Sequence, residues 1–327
     1  MTPGIHRISM ADYLKLPAVS ASIILDVVER CPRAAFHGSW LNPKPEALGE
    51  DATAASDCGS IAHSVLLEGR RDIIAVIDPN DHPAEKTGNI PDGWTNKSIR
   101  AARDAARAAG KVPVFPEKAR IIEAMVDAAS AYIESLRESE PAIWEAFQPG
   151  GGESEVTLVW DDNGTLCRAR PDRISADRRV ILDYKTGGTS AEPGTWGRTQ
   201  MVKMGYYVGA AFYRRGCAKL FGVEPDYVYL VQEQEEPFLC SLVGIEPAGR
   251  ELGARKVARG LAVWKSCAAA NRWPGYPNRV AYVEIPAWEH AREEVEPMPA
   301  GNPYTYEQMG WSREQRDAAR AFDSLPE

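Results

Sequence analysis

The chain has 327 residues, of which 44% are hydrophobic and 26% are charged, a composition typical of globular proteins rather than disordered or fibrous ones. No stretch reaches the ~18 apolar residues of a membrane span, and the first residues lack the apolar segment of a secretory signal, so we expect a cytoplasmic protein of a bacterium or virus without membrane association. A net charge of −8 argues against nucleic-acid binding through bulk positive charge, but it does not exclude a carboxylate site that binds cations.

The six cysteines are scattered along the chain, and no two form a Cys-x-x-Cys pair. Cysteine-ligated metal centres usually draw on such close pairs, and disulfide frameworks belong mostly to small secreted domains. We therefore expect neither a zinc or iron–sulfur centre nor a disulfide framework.

Hydrophobic periodicity predicts mainly helices in the first half of the chain. The expected elements are, in order, short helices over 10–40, a loop over 41–55, a helix over 57–68, a loop over 78–95, a helix over 96–109, a short VPVF strand and a helix over about 117–137.

The pattern changes in the middle of the chain, where EVTLVW and TLCRARPD predict a hairpin around Asn163-Gly164 and RVILDYK predicts a buried strand. The remaining expected elements are a helix over about 195–214, strands in DYVYLVQEQ and FLCSLVGI, a helix over about 246–271 and a closing helix over 311–323. This order predicts a mixed α/β (α+β) domain with a central sheet.

We expect one domain over 1–285, with a helical part over 1–150 and a core over 151–285, followed by a tail over 286–327 that contains the closing helix.

Acidic residues surround the predicted strand RVILDYK. Ten residues separate Asp172 from Asp183, and Lys185 follows two positions later. Because strand side chains alternate, Asp183 and Lys185 point to one face and Tyr184 to the other. A tight return between strands would bring Asp172 beside Asp183, and Glu155 opens the strand before that. Such gathered carboxylates are costly without a cation, and they suit Mg²⁺, with Mn²⁺ as a substitute.

In a site of this kind, one or two metal ions polarise a phosphodiester and lower the pKa of a bound water. Lys185 would orient or deprotonate that water, or stabilise the charge of the phosphorane. The alternative interpretation is a chance Asp-x-Lys triplet in which Asp183 only pairs with an arginine. The apolar strand before the triplet, Asp172 at hairpin distance and Glu155 one strand earlier together favour the catalytic interpretation.

Two further positions carry candidate residues. His63 lies in a helix of small and apolar residues, where it is either a packed histidine or a ligand for metal or phosphate. In the helix predicted over 195–214, the spacing puts Gln200, Lys203 and Tyr207 on one face. That face either contacts a phosphate or packs against the sheet.

Several segments, in order along most of the chain, are more specific in combination than any one motif. They are LPAVSASIILDVVERCPRAAF, CGSIAHSVLLEG, EVTLVW, CRARPDRI, VILDYKT, GYYVGAAFYRRG and WPGYP. Together they resemble the RecE-type exonucleases, also called the exodeoxyribonuclease VIII family, within the RecB-like PD-(D/E)xK nuclease superfamily.

The resemblance implies a restriction-endonuclease-like PD-(D/E)xK core with helical N-terminal and C-terminal additions. It implies Mg²⁺-dependent degradation of one strand of linear double-stranded DNA, conventionally 5′ to 3′, which leaves a 3′ single-stranded overhang for phage-type recombination. It also implies a phage or prophage protein acting in a bacterial host, a single-strand annealing protein of the RecT type as partner, and a homo-oligomeric ring.

The candidate site residues follow from the motifs and this resemblance. They are, for catalysis, Lys185, Asp183, Asp172, Glu155, Gln200 and Tyr207 and, for metal binding, His63, Asp172, Asp183 and Tyr184. One departure concerns Gly209, which stands where many relatives have a glutamine, so Gln200 would have to substitute from an earlier turn.

Three alternatives stay open. They are an endonuclease of the same superfamily, including a clustered-repeat adaptation nuclease, a catalytically inactive DNA-binding scaffold, and an unrelated globular protein with a chance triplet. A closed circular substrate separates the exonuclease from an endonuclease, and failure to bind DNA at low salt would favour the unrelated protein.

Overall fold

The structure is a computed structural model, and it describes residues 1–43, 54–287 and 289. Its contacts divide the chain into two units, 1–275 and 276–327. The first unit contains all the helices and strands named below. In the second unit, the coil that begins at Tyr276 is exposed as far as the structure describes it. The closing helix expected over 311–323 lies outside the described residues.

Most helices of the first unit lie before Phe147, and most of its strands lie after it. The helices are α1 (Met10–Lys15), α2 (Ala21–Glu29), α3 (Pro32–His37), α4 (Ala54–Glu68), α5 (Lys97–Ala108), α6 (Pro116–Ser135), α7 (Pro141–Phe147), α8 (Pro193–Trp196), α9 (Tyr206–Phe221) and α10 (Pro247–Ala270). The strands are β1 (Gly4–His6), β2 (Ile74–Val76), β3 (Val112–Val114), β4 (Gly152–Ser154), β5 (Thr157–Asp161), β6 (Leu166–Ala169), β7 (Arg173–Ser175), β8 (Val180–Gly187), β9 (Asp226–Glu233) and β10 (Cys240–Val243). Within the described part of the chain, we find no helix that combines the length and apolar character of a membrane span.

The strands form a central five-stranded sheet in the order β10-β9-β8-β7-β4, a three-stranded sheet β1-β5-β6 and a small pair β2-β3. In the central sheet β8 and β9 run parallel, and the other neighbours run antiparallel. The hairpin β5–β6 turns at Asn163-Gly164, both with positive φ, as predicted. The predicted mixed α/β fold with a central sheet is confirmed.

Strand β8 is covered on both faces. Ile181 packs into a core shared with α2, α9 and α10, whereas Tyr184 packs on the opposite face with Ile122 and Met125 of α6. The predicted alternation of side chains along this strand is therefore correct, and the side chains of Asp183 and Tyr184 point to opposite faces of the sheet.

The helix predicted over 195–214 is interrupted. Helix α8 runs into a π-helical turn over Gly197–Met201, and α9 begins only after Gly205, which has a φ of 65°. The left-handed backbone at this position favours glycine, and a Cβ there would also displace the terminal methyl groups of Leu25. The expectation that Gln200 and Tyr207 share one face of a continuous helix is wrong for this reason.

A buried ion pair ties the β5–β6 hairpin to α9. The Asp162 side chain is 2% exposed, and Arg215 donates to its two oxygens from Nε at 2.5 Å and Nη2 at 2.8 Å. Burial alone would raise the pKa of Asp162, but the hydrogen bonds and charge of Arg215 outweigh burial and hold that pKa below its usual value. The folded protein therefore favours the ionised carboxylate.

We expect Asp162→Asn to lower the free energy of unfolding by about 1–3 kcal/mol at neutral pH, because an amide cannot accept both charged hydrogen bonds. The difference is fully present above the pKa of an unfolded aspartate, about 4, and is lost as pH falls through the lower pKa of the folded carboxylate. Urea unfolding across this pH range measures it. Asp161→Asn in the same turn is the control, and a difference from wild type that does not change with pH would contradict the assignment.

Candidate metal centre

An imidazole and two carboxylates converge where the two larger sheets meet. The Nε2 atom of His63 lies 3.2 Å from Asp172 Oδ2 and 3.5 Å from Glu155 Oε1. One possible ligand atom from each residue lies within 4.8 Å of the others. One nitrogen and two carboxylate oxygens at this spacing can hold a single divalent cation such as Mg²⁺ or Mn²⁺.

Each of the three side chains comes from a different element. His63 lies on α4, and Gly59 one turn earlier allows this helix to approach β8, since a Cβ there would lie 2.5 Å from Thr186 Oγ1. Asp172 immediately precedes β7. Glu155 lies in the connection between β4 and β5, with a φ of 56°. The site thus depends on the packing of one helix against the junction of two sheets.

Arg170 fixes the orientation of Glu155. Its Nε donates to Glu155 Oε2 at 2.5 Å, and its Nη1 donates to the carbonyl of Ile8 at 2.9 Å and to Thr157 Oγ1 at 3.2 Å. Burial raises the pKa of Glu155 and the charge of Asp172 adds to this, against the opposing effects of Arg170 and His63. With Oε2 bound to Arg170, Oε1 faces His63.

Asp172 has two partners. The main-chain N–H of Tyr184 donates to its Oδ2 at 2.9 Å, and His63 contacts the same oxygen. Burial would raise the pKa of Asp172, but the hydrogen bond to His63 and the charge of Lys185 lower it. For His63, burial would lower the pKa, but Asp172 and Glu155 raise it.

Asp183 and Lys185 point to the same face of β8, as the strand alternation predicts, and they form an ion pair beside this group. The Tyr227 hydroxyl donates to Asp183 Oδ2 at 2.6 Å. Burial and the charge of Asp172 raise the pKa of Asp183, against Lys185 and Tyr227. Burial would lower the pKa of Lys185, but Asp183 and Asp172 raise it. The ammonium of Lys185 therefore offsets part of the charge of the clustered carboxylates.

A cleft of about 960 Å³ opens onto this centre and exposes His63, Glu155 and Lys185. Much of its remaining lining is small or polar, including Ser60 and Ser64 of α4. A cleft of this size and polarity admits a segment of an anionic chain when a cation offsets the carboxylates.

Gln200 and Tyr207 are not brought into the cleft. Gln200 lies in the π-helical turn and does not line the cleft, whereas the Tyr207 hydroxyl accepts a hydrogen bond from Lys256 of α10. A Cβ at Gly209 would meet no heavy atom within 4 Å, so packing does not require glycine there.

Tyr184 takes part through its main chain. Its hydroxyl donates to Gln232 on the opposite face of β8, so the side chain is not available as a metal ligand. Gln232 is fully buried, and its Nε2 donates to the carbonyls of Met125 at 2.8 Å and Phe238 at 3.3 Å. This amide joins β9 to α6 directly behind the site.

Sequence reasoning assigned no role to Arg170, Tyr227 or Gln234, which contact the site or line the cleft. Gln234 lines the cleft and donates from Nε2 to Thr186 Oγ1 at 3.1 Å. Arg170 stands directly before Pro171-Asp172, and that adjacency is a signal that could have identified it. Tyr227 carries no such signal, because alternating tyrosines in a strand look like ordinary core residues.

A family model described as a PDDEXK-like domain of unknown function (DUF3799) matches residues 29–286, a range that contains every candidate site residue. No curated protein matches the chain significantly. One similar solved structure, named “Putative exonuclease”, comes from Eubacterium rectale, with 14% identity over 91% of this chain and 100% of that chain and a TM-score of 0.48. Another is an alkaline exonuclease from Laribacter hongkongensis, with 16% identity over 54% of this chain and 85% of that chain and a TM-score of 0.26. Structural likenesses at these TM-scores are too distant to carry an inference.

We expect Mn²⁺ or Mg²⁺ to stabilise the folded protein through this centre, by about 2–3 kcal/mol at a concentration near one hundred times Kd. Asp172→Asn removes one ligand and is expected to abolish most of this gain. Asp127→Asn, on the exposed side of α6, should retain it. Thermal unfolding with and without metal measures the effect, and equal stabilisation of both variants would rule out this centre.

We expect Gln232→Leu to destabilise the protein by about 2–4 kcal/mol, because it leaves the buried Tyr184 hydroxyl without its acceptor and removes an amide donor from the carbonyls of Met125 and Phe238. Adding Tyr184→Phe removes the orphaned hydroxyl, so the double variant should lose less than the sum of the two single losses. Urea unfolding midpoints test this, and strict additivity would contradict the hydrogen-bonded network.

Proposed function

The chain belongs to the family of PDDEXK-like domains, and from this premise we propose that it is a metal-dependent nuclease that hydrolyses phosphodiester bonds of DNA. The predicted place in the PD-(D/E)xK superfamily, with its restriction-endonuclease-like core, is confirmed by the family match. The observation that carries the proposed activity is the convergence of His63, Glu155 and Asp172 beside the Asp183–Lys185 pair.

The residues of the site divide the chemistry between them. His63, Glu155 and Asp172 would hold the divalent cation, with Asp183 beside them, and the bound cation supplies charge that polarises the phosphodiester and acidifies a water. Lys185, which lines the cleft, would orient the attacking water or stabilise charge on the phosphorane.

Two further residues hold the carboxylates in place. Arg170 keeps one oxygen of Glu155 turned toward the cleft, and Tyr227 fixes Asp183 against rotation. Such fixed donors reduce the reorganisation that the reaction needs.

We further propose the finer activity that the ordered RecE-type segments imply. The substrate would be an end of linear double-stranded DNA, degraded 5′ to 3′ with Mg²⁺ to leave a 3′ overhang. A RecT-type annealing protein would act on that overhang, and the nuclease would work as a ring-shaped homo-oligomer in the cytoplasm of a bacterium that carries the phage or prophage. These proposals are supported by the order and combination of the segments, including CGSIAH, CRARPD and VILDYKT.

We expect the protein to degrade end-labelled linear duplex DNA in Mg²⁺ and to lose activity in EDTA. Lys185→Ala should lower the cleavage rate by at least about 100-fold, because this variant lacks the ammonium group that would orient the attacking water or stabilise the phosphorane. Lys219→Ala removes an equal charge from the exposed surface of α9 and should leave the rate within about twofold of wild type.

A closed circular duplex decides between the alternatives. Survival of the circle while linear DNA is degraded supports the exonuclease, and the position of the released label gives the polarity. Cleavage of the circle would assign an endonuclease. If the protein binds DNA but cleaves it in neither Mg²⁺ nor Mn²⁺, it is a DNA-binding scaffold and the catalytic proposal is overturned.

A further inference from the structure

One wall of the cleft is built from a single face of α4. Gly59, Ser60, His63 and Ser64 line the cleft, and their spacing places them together on the helix surface. Apart from the histidine, these side chains are small, so an extended ligand can approach the helix closely. The wall continues beyond the end of the helix to Arg70 at the rim.

The arginines and the lysine that line the cleft differ in how strongly they are already bound. Arg170 and Lys185 are paired with carboxylates of the metal centre. The Arg70 side chain is 51% exposed, and the ion pair that it makes among the described residues is to Asp72, 3.8 Å away and 76% exposed. Such an exposed pair contributes little free energy, so the Arg70 guanidinium can exchange this partner for a ligand at small cost.

We propose that Arg70 binds a phosphate of the substrate strand in the cleft that leads to the candidate metal centre, an inference that rests on the proposed nuclease function. The planar guanidinium presents paired N–H donors that match two oxygens of one phosphate. Because Arg70 shares a wall with His63, the bound phosphate lies on the path of a strand that leads into the metal centre. Glu68 lines the same rim, and Arg70 offsets the repulsion of this carboxylate for an anionic strand.

A second groove of about 460 Å³ adjoins the cleft and shares Glu155 and Arg170 with it. Its exposed cation, Arg7, is bound to Glu153, which is also bound to Arg178. Glu153, the partner of Arg7, is only 24% exposed to solvent, whereas Asp72, the partner of Arg70, is 76% exposed. Arg7 is therefore harder to release from its carboxylate, and this groove offers a poorer phosphate site than the rim at Arg70.

The next residue in the chain, Arg71, provides a matched control. It is exposed like Arg70 and carries the same charge, but it does not line the cleft. Equilibrium binding of a fluorescein-labelled short linear duplex is measured by anisotropy in Mg²⁺, with each substitution placed in the Lys185→Ala protein so that the DNA is not consumed. Arg70→Ala is expected to weaken binding about three- to tenfold and to reduce the salt dependence by about one phosphate contact.

Arg71→Ala is expected to change the affinity for DNA by less than about twofold. The affinity of Arg70→Lys should fall between that of Arg70→Ala and that of the Lys185→Ala protein with Arg70 intact, because lysine keeps the positive charge but lacks the paired N–H donors of the guanidinium. In the cleavage-competent protein, the loss at Arg70 should appear in KM, with kcat within about twofold. If Arg70 had only a structural role, its loss would not raise KM, leave kcat unchanged and reduce the salt dependence of binding at the same time.

The outcomes separate this inference from the nuclease proposal. Equal affinities and equal salt dependence for Arg70→Ala and Arg71→Ala would overturn the phosphate contact, even if the wild-type protein cleaves DNA. A wild-type protein that binds DNA without cleaving it would sink the nuclease proposal, while the binding comparison still decides the role of Arg70. A protein that neither binds nor cleaves DNA would overturn both.

Discussion

Three carboxylates, Glu155, Asp172 and Asp183, share one largely buried space, and their mutual repulsion is the constraint that the surrounding structure has to satisfy. Like charges removed from water raise one another's pKa unless opposite charges or hydrogen-bond donors lie close by. Arg170 is bound to the first carboxylate and Lys185 to the third, and a main-chain N–H with an imidazole holds the second. These positively charged and hydrogen-bond-donating groups are positioned by different elements of the fold.

This dependence extends to the beginning of the chain. Arg170 also donates to the carbonyl of Ile8, and Arg168, two residues earlier on β6, donates to the carbonyls of Tyr13 and Leu16. The connection between β1 and α1 therefore helps, through Ile8 and Arg170, to orient Glu155, which lies far from it in sequence. A small N-terminal segment thus helps to support the candidate metal centre.

The central elements could be predicted because their patterns are long. Alternation in RVILDYK fixed the opposite directions of Asp183 and Tyr184, and Asn163-Gly164 identified the hairpin turn. Strands β1, β2 and β4 have three residues each, too few for an alternating pattern to stand out. The interruption before α9 consists of a π-helical turn and the left-handed Gly205, and a hydrophobic period of 3.6 residues does not reveal either of them. For the same reason, sequence spacing favoured Tyr207, although Tyr206 is the tyrosine whose ring lies 5.4 Å from the Lys185 ammonium.

The backbone of Glu155 shows what this arrangement costs. A φ of 56° is a conformation that glycine adopts freely and that disfavours a branched or long side chain by about 1–2 kcal/mol. A glycine here would relax the main chain at the junction of the two sheets, yet it would remove the carboxylate and leave Arg170 facing the cleft without its partner. The position is therefore one where conformational stability and chemistry favour different amino acids. Replacement of Glu155 by glycine would therefore relieve backbone strain and at the same time remove a ligand of the proposed cation site.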